Sequence, residues 1–408
     1  MRTNLLSGCF SLCIAVIFCL AANPAPAASS RNTSAAQDQP ASANIVIENW
    51  TKPEPGWLYV LDIEPDQSRG GRIWLIDPEN GKNMGSIRTG EGPDFALSPD
   101  GSRLYVACIT DGDASEMAVI DTASGKVLTN GVVNSRAVAN GMPPFSTMAV
   151  SGDGAVLRIL IETPKSDDAE SFMLATFDTH SGEFLPGIVQ LGNCGPARFI
   201  DMPAADHVDL LCPRTNKLRL IRVDNDSQTL QNVNVQLPWE RREGAATVMP
   251  VPGSENLAVV RGDGAVAELH TPTLEFDATA AHPELPNRIP PAAWPTSPDG
   301  SRIFLGYKTD YDKHSDNRFY LDYGRAPNVR PGDSTVYEFR VFDTHSWRKI
   351  ATIRTKIPCW SAAISSDGKL LYATSPRKHS LVVIDTTSKH VLRTLKIPGT
   401  PALALVSP

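Results

Sequence analysis

Residues 95–127, FALSPDGSRLYVACITDGDASEMAVIDTASGKV, form a unit that the rest of the chain repeats. A short apolar run at 95–98 leads into the turn signal Pro99-Asp100-Gly101. Residues 103–109 then alternate apolar with small or polar side chains, as a half-buried strand does. A third strand at 117–121 is followed by the reversal Thr122-Ala123-Ser124-Gly125. There, glycine accepts positive φ and the Ser or Thr hydroxyl bonds the local backbone.

The turns make the repetition visible. Ser98-Pro99-Asp100-Gly101-Ser102-Arg103 returns as Ser297-Pro298-Asp299-Gly300-Ser301-Arg302, with variants at 151–154 and 365–368. The turn after the third strand recurs as Ile120-Asp121-Thr122, Phe177-Asp178-Thr179, Phe342-Asp343-Thr344 and Ile384-Asp385-Thr386. First strands begin near Phe95, Phe145, Ala197, Ala246, Ala292, Trp360 and Ala402, most of them about 50 residues apart, the period of four-stranded propeller blades. The last module has only its first strand, and the N-terminus begins with strands that lack one. The expected fold is therefore all-β, a seven-bladed β-propeller in which the N- and C-terminal strands jointly close one blade, leaving no open sheet edge in the ring. The modules spanning 197–281 are degenerate, with Pro203-Ala204-Ala205-Asp206 and Pro252-Gly253-Ser254-Glu255 in place of the Asp-Gly turn. In the sixth module residues 308–335 form an insertion far longer than the equivalent loops.

Composition fits this reading. The chain has 408 residues, 41% hydrophobic and 20% charged, and its 33 prolines and 29 glycines suit many short strands and turns. Arg2, the apolar run 5–22 and Ala25-Pro26-Ala27 read as a secretory signal over 1–27. A flexible leader over 28–50 and the propeller domain over 51–408 follow. Export to the periplasm or the medium is expected. No second apolar run is long enough to span a bilayer, so no membrane insertion of the mature chain is expected. The formal net charge of −7 disfavours nucleic acid as a partner. Four of the seven cysteines (Cys108, Cys194, Cys212, Cys359) lie beyond the signal and can be oxidised in an exported protein.

The chemistry-bearing motifs are few. No His-Glu-x-x-His, Cys-x-x-Cys-His, Gly-x-Ser-x-Gly, P-loop or dinucleotide fingerprint occurs, and no metal site is assigned. His180 and His345 occupy one turn position in two modules and read as turn residues. His314 beside Asp310, Asp312 and Asp316 reads as a solvated loop rather than a cation site. The Asp-x-Asp-Gly turns lack the full ligand series of a calcium loop. What remains is a convergence of segments. In a propeller the chain entering each innermost strand lies at one mouth of the channel, and those segments contain Asp94, Phe145, Arg198, Arg241, Arg242, Trp294, Trp360 and Pro401. Aromatics and arginines at a concave rim suit ligand or partner binding, and equally a filled channel. The expected binding residues are Phe145, Arg198, Trp294 and Trp360 at the mouth, with Tyr311, Phe319, Tyr320 and Tyr323 from the insertion.

The repeated Ser-Pro-Asp-Gly, Leu-Tyr-Val and Ile-Asp-Thr elements resemble the YVTN-type bacterial propeller repeats over essentially the whole mature chain. The chain is also similar to the heavy (β) subunit of quinoprotein amine dehydrogenases, on the Cys194–Cys212 hairpin around Phe199-Ile200-Asp201-Met202-Pro203 and on the closing run through Leu370-Leu371-Tyr372-Ala373 to Ile384-Asp385. That resemblance implies a non-catalytic scaffold subunit with no cofactor of its own, the tryptophan tryptophylquinone being carried by a separate small subunit. A stand-alone propeller enzyme such as a lactonase, and an envelope protein-interaction module, are the alternatives, since propellers host both catalysis and binding. Cys194 precedes one strand and Cys212 ends the next, so antiparallel pairing brings them together and a disulfide between them is expected. Intact-mass measurement of the exported, unreduced protein is expected to show one fewer pair of free thiols than the reduced chain. Alkylation of both cysteines without reduction would exclude the bridge.

Overall fold

In the computed structural model, the described residues are 45–62, 71–109, 115–133, 148–162, 172–185, 189–192, 198–200, 207–214, 217–224, 230–235, 247–251, 254, 256–260, 265–270, 273, 275–276, 280–281, 295–307 and 336–408. Among them there is no α-helix, only a single 3-10 turn at Pro376–Lys378. The rest is a succession of antiparallel sheets.

The first sheet contains β1 (Val46–Glu48), β2 (Leu58–Asp62), β3 (Arg72–Asp77) and β4 (Lys82–Arg88), together with the last strand, β30 (Pro401–Val406). Its order is β1-β4-β3-β2-β30. The second holds β5 (Glu91–Leu97), β6 (Arg103–Ile109), β7 (Ser115–Asp121) and β8 (Lys126–Val133) in sequence order. The third is built from β9 (Met148–Val150), β10 (Val156–Glu162), β11 (Phe172–Asp178), β12 (Glu183–Phe184) and β13 (Val189–Gly192). The fourth has β14 (Arg198–Ile200), β15 (His207–Arg214), β16 (Lys217–Asp224) and β17 (Leu230–Val235). The fifth has β18 (Thr247–Pro250), β19 (Leu257–Val260), β20 (Ala265–His270), β21 (Glu275–Phe276) and β22 (Ala280–Ala281). The sixth has β23 (Arg302–Tyr307), β24 (Val336–Asp343) and β25 (Lys349–Cys359). The seventh has β26 (Ala362–Ile364), β27 (Leu370–Ser375), β28 (Ser380–Asp385) and β29 (His390–Lys396).

Six of these sheets have four or more strands and make complete blades. The sheet at 302–359 has three among the described residues, and its innermost position is marked only by the bridge Thr296↔Ile303. The expectation of seven like blades is thus corrected to six complete blades. At that position Pro295 and Pro298 flank Thr296 and lack the N–H that a ladder needs.

The closure between the termini is present. β30 pairs antiparallel with β2, from Leu58↔Val406 to Asp62↔Pro401. The fold begins earlier than residue 51, because β1 adds to β4 as a fifth, outermost strand with Val46↔Arg88 and Glu48↔Ser86. Strands inside a blade are buried on both faces, as in β2 and β28, whereas the outer β29 alternates exposed and half-buried residues. Successive sheets share cores. Tyr59, Leu61 and Leu75 of the first pack on Phe95, Leu104 and Val106 of the second. Leu58 and Val60 pack on Tyr372, Leu381 and Val383 of the last.

The recurring turns share one hydrogen-bond pattern. The Ser98 hydroxyl donates to the Asp100 carboxylate (2.6 Å) and accepts the Arg103 amide (2.9 Å). Ser151, Ser297 and Ser365 do the same with Asp153, Asp299 and Asp367, at 2.5–2.7 Å. The glycine that follows, such as Gly101 at φ 68°, takes the left-handed conformation that closes the turn. Its carbonyl then accepts the hydroxyl of the Asp-Thr turn in the same blade: Thr122 on Gly101 (2.8 Å), and Thr179, Thr344 and Thr386 on Gly154, Gly300 and Gly368 (each 2.6 Å). In these four sheets the two turns at one end are therefore tied to each other, which is why these residue types recur together.

Serine hydrogen bonds hold Asp100 and Asp299 down to about 2, and Asp367 falls to about 2 through Ser365 and the Lys369 amide. Asp121, Asp153, Asp178, Asp343 and Asp385 are lowered by the Ser hydroxyls or backbone amides of their own turns. A depressed folded-state value means that this stabilisation is complete above the unfolded carboxylate range near ~3.9 and is lost as pH falls through about 2. Acid unfolding followed by circular dichroism is expected to fall between those limits. The combined Ser98→Ala, Ser297→Ala and Ser365→Ala variant should unfold at higher pH, and an unchanged acid midpoint would contradict the role of these turns.

Candidate functional site

Each inner strand starts at the end of its sheet where the second strand finishes. Glu91 pairs with Ile109, Ala362 with Ala373 and Pro401 with Asp62. The Ser-x-Asp-Gly turns occupy the opposite end. The end at which the inner strands begin is the mouth, and its described part lies around the closure.

There, Asp62 ends β2 with a carboxylate only 1% exposed. It accepts the Trp74 indole N–H (3.1 Å) and the Thr400 amide (2.5 Å), which delivers the C-terminal strand into the ring. Gly399 at φ 72° precedes it, and any Cβ at that position would overlap the Asp62 carboxylate. Its carbonyl contacts the His379 ring Nδ1 at 2.5 Å. Next to this, the Ser361 and Thr374 hydroxyls both donate to the Ala402 carbonyl, at 2.7 and 3.0 Å, and Ser375 donates to Pro358 (2.5 Å). These hydroxyls are buried and spent on backbone carbonyls, so they fix the inner strand rather than present a nucleophile.

Asp94 and Glu116 near this end are buried too, whereas Arg377, Lys378 and His379 between β27 and β28 are exposed. Asp94 accepts the amide of Phe95 (2.8 Å), and Glu116 stands opposite Cys108 in the β6–β7 register. Cys108 and Cys359 are free, and burial pushes each thiol up to about 12, so both stay protonated at neutral pH. Among the described residues no group of three His, Cys, Asp or Glu is placed to hold a metal ion, and no helix is long and apolar enough to cross a membrane. His180 and His345 are exposed in their turns, where the sequence reading places them.

Of the expected site residues, Trp360 is described, and at 4% exposure it belongs to the wall, its amide donating to Thr374 at 2.8 Å. Pro401 is buried as the first residue of β30. Arg198 opens β14, opposite Leu211 in register, and Cys212 pairs with Arg219 in β15–β16; for both, the description stops at the backbone. Phe145, Cys194, Arg241, Arg242, Trp294, Tyr311, Phe319, Tyr320 and Tyr323 lie outside the described residues, as does the signal and leader segment through residue 44. Tyr307 and Val336 flank the insertion. Since Tyr307 ends β23 and Val336 starts β24, it springs from the mouth end of its sheet. The Asp62, Trp74 and Thr400 constellation escaped the sequence reading because its members are up to 338 residues apart.

No protein-family model matches the chain, and no curated protein matches it in sequence. Solved structures do. A protein of unknown function from Desulfotomaculum acetoxidans superposes with a TM-score of 0.59 at 12% identity, over 86% of this chain and 99% of that one. A 6-phosphogluconolactonase candidate from Bacteroides uniformis gives 0.57 at 13%, over 86% and 99%. The β-propeller domain of Cps50 (Swd1) from Myceliophteria thermophila gives 0.53 at 11%, over 77% and 88%. The chain is a β-propeller. At these identities the likeness carries the fold alone.

Asp62→Ala would leave a buried amide and an indole N–H without their acceptor, at a cost of about 3 kcal/mol. Calorimetry should show a clear fall in Tm, smaller for Asp62→Asn, which keeps one acceptor oxygen. An unaltered melt for Asp62→Ala would remove this carboxylate from the closure.

Proposed function

We propose that this propeller is an exported, non-catalytic binding or scaffold subunit that takes a partner or ligand at the mouth end of its ring, in the manner of an amine dehydrogenase heavy subunit. On that reading any quinone cofactor resides on a separate small chain and none on this one. The observation that carries the proposal is the insertion at 308–335. It is rooted between Tyr307 and Val336 at the mouth end and is longer than any other connection between the described strands. Loops of that length in compact domains serve function or stay unstructured. Its Tyr311, Phe319, Tyr320 and Tyr323 interleave with Asp310, Asp312, Arg318, Asp322 and Arg325, the mixture of aromatic anchors and charge found at interface hot spots. The full seven-fold ring belongs to the same proposal, with the Thr296 bridge as the remnant of the seventh inner strand.

The test replaces 308–335 by a short Gly-Ser turn and compares affinity purifications from extracts of the source organism. The partner is expected to co-elute with the intact chain and to be lost from the shortened one, while both melt alike. Hydrolysis of a sugar lactone by the pure chain, with no co-eluting protein, would favour a stand-alone enzyme instead.

A further inference from the structure

Four sheets share a feature on the strand that follows the Asp turn, β4, β8, β25 and β29. Seven residues after the turn aspartate the register skips one residue, a β-bulge, and that residue is large and apolar: Met84, Leu128, Ile350 and Leu392. In three of them the side chain stands in solvent, at 50% exposure for Leu128, 49% for Ile350 and 51% for Leu392. In the first blade the position is covered, because the chain's own N-terminal segment lies along that edge. Thr51 donates to the Met84 carbonyl (3.0 Å), and β1 pairs with residues 86–88 of β4. Glu48 of this added strand is held by Arg72 (2.6 Å) and lies 3.8 Å from Arg88. The molecule thus displays one way to occupy an outer edge: an extended segment that brings a carboxylate to basic residues.

The edge of the last blade repeats the acceptor. Past the bulge at Leu392, residues 394–396 correspond to 86–88, so Lys396 stands where Arg88 does, and β29 has no strand on its outer side among the described residues. Ser380, opposite Lys396, takes the place of Arg72, and its buried hydroxyl has no hydrogen-bond partner. Charge is concentrated here. Residues 346–400 contain ten Lys and Arg against two acids, Asp367 and Asp385, in a chain whose net charge is −7. Both acids are bound within their own turns. Lys378, Lys389 and Lys396 are exposed on or beside β29, with Arg354 and Lys356 on β25 of the neighbouring sheet.

Edge lysines and bulges also protect sheets from unwanted pairing. Yet β8 has the same bulge and the same exposed leucine with Lys126 as its sole charged residue, so protection does not call for the charge found on β29. We infer that the outer edge of β29 is a strand-addition site for an acidic, extended segment of a protein partner, bound by backbone pairing and by Lys378, Lys389 and Lys396. This surface is the outer edge of the last sheet, opposite its inner strand, with Lys378 and Lys396 toward the mouth end and Lys389 toward the other, and the inference stands independently of the function proposed above.

The probe is a short fluorescent peptide of alternating glutamate and valine, added to the mature chain, with phosphatidylglycerol vesicles as comparator. Binding should weaken with salt and slow amide exchange at residues 390–396. The Lys378→Glu, Lys389→Glu, Lys396→Glu variant should bind about tenfold or more weakly, since three exposed ion pairs each contribute up to a few-fold. Lys126→Glu on β8 should change nothing. Absence of binding, equal binding by the triple variant, exchange protection elsewhere, or binding to the vesicles alone would each overturn the assignment.

Discussion

The backbone ladder between β2 and β30 is the constraint on which the ring depends. Leu58–Asp62 would otherwise be a strand buried on its faces but bare along one edge, and every unpaired N–H and C=O there would be desolvated without compensation. Pairing with Pro401–Val406 removes that edge and turns a row of sheets into a closed array. It also makes stability cooperative over the chain, because the first sheet cannot complete itself until the last strand has been brought round. The Asp62 carboxylate reinforces this by holding the Thr400 amide, so the entry of β30 is fixed as well as its register.

A second line of contacts runs outward from the same point. Trp74, which donates to Asp62, lies under the Arg72 guanidinium at 4.8 Å, and Arg72 in turn holds Glu48 of β1. Trp50 continues the strap toward the next blade. Its indole N–H reaches the Thr122 carbonyl (2.9 Å), and its ring fills the space over Gly125, where a Cβ would come within 2.4 Å. The first and last described strands therefore meet in one blade, β30 completing its inner edge and β1 its outer edge. The hydroxyl of Tyr59, packed beside Trp50 at 6.3 Å between ring centroids, is buried without a partner, whereas the corresponding Tyr105 reaches the Gly154 carbonyl (3.3 Å).

How much was legible in the residues follows from the range of each interaction. The Ser-x-Asp-Gly and Asp-Thr turns are local: Ser98, Asp100 and Arg103 satisfy one another within six residues, so they could be read directly, and with them the strand order within each blade. The closure was also readable, because an array that starts without an inner strand and ends with a spare one has a single way to pair all its edges. The aromatic rim was less so. Trp360 is an aromatic at the entry to an inner strand, and that it is only 4% exposed is set by the folded chain rather than by any local pattern.

The sequence by itself determined the all-β repeat, the turn chemistry and the meeting of the two ends, since those depend on period and on short-range hydrogen bonding. The tertiary structure alone decided that, among the described residues, the sixth sheet has three strands rather than four, with Pro295 and Pro298 flanking the single bridge at Thr296. It alone decided that Val46–Glu48 form a strand on an outer edge and that Asp62 anchors Thr400, contacts between residues that no local pattern relates. It also decided which charges stand together: a net value averages over the chain, and only folding gathers the lysines of β29 and its neighbours onto one edge.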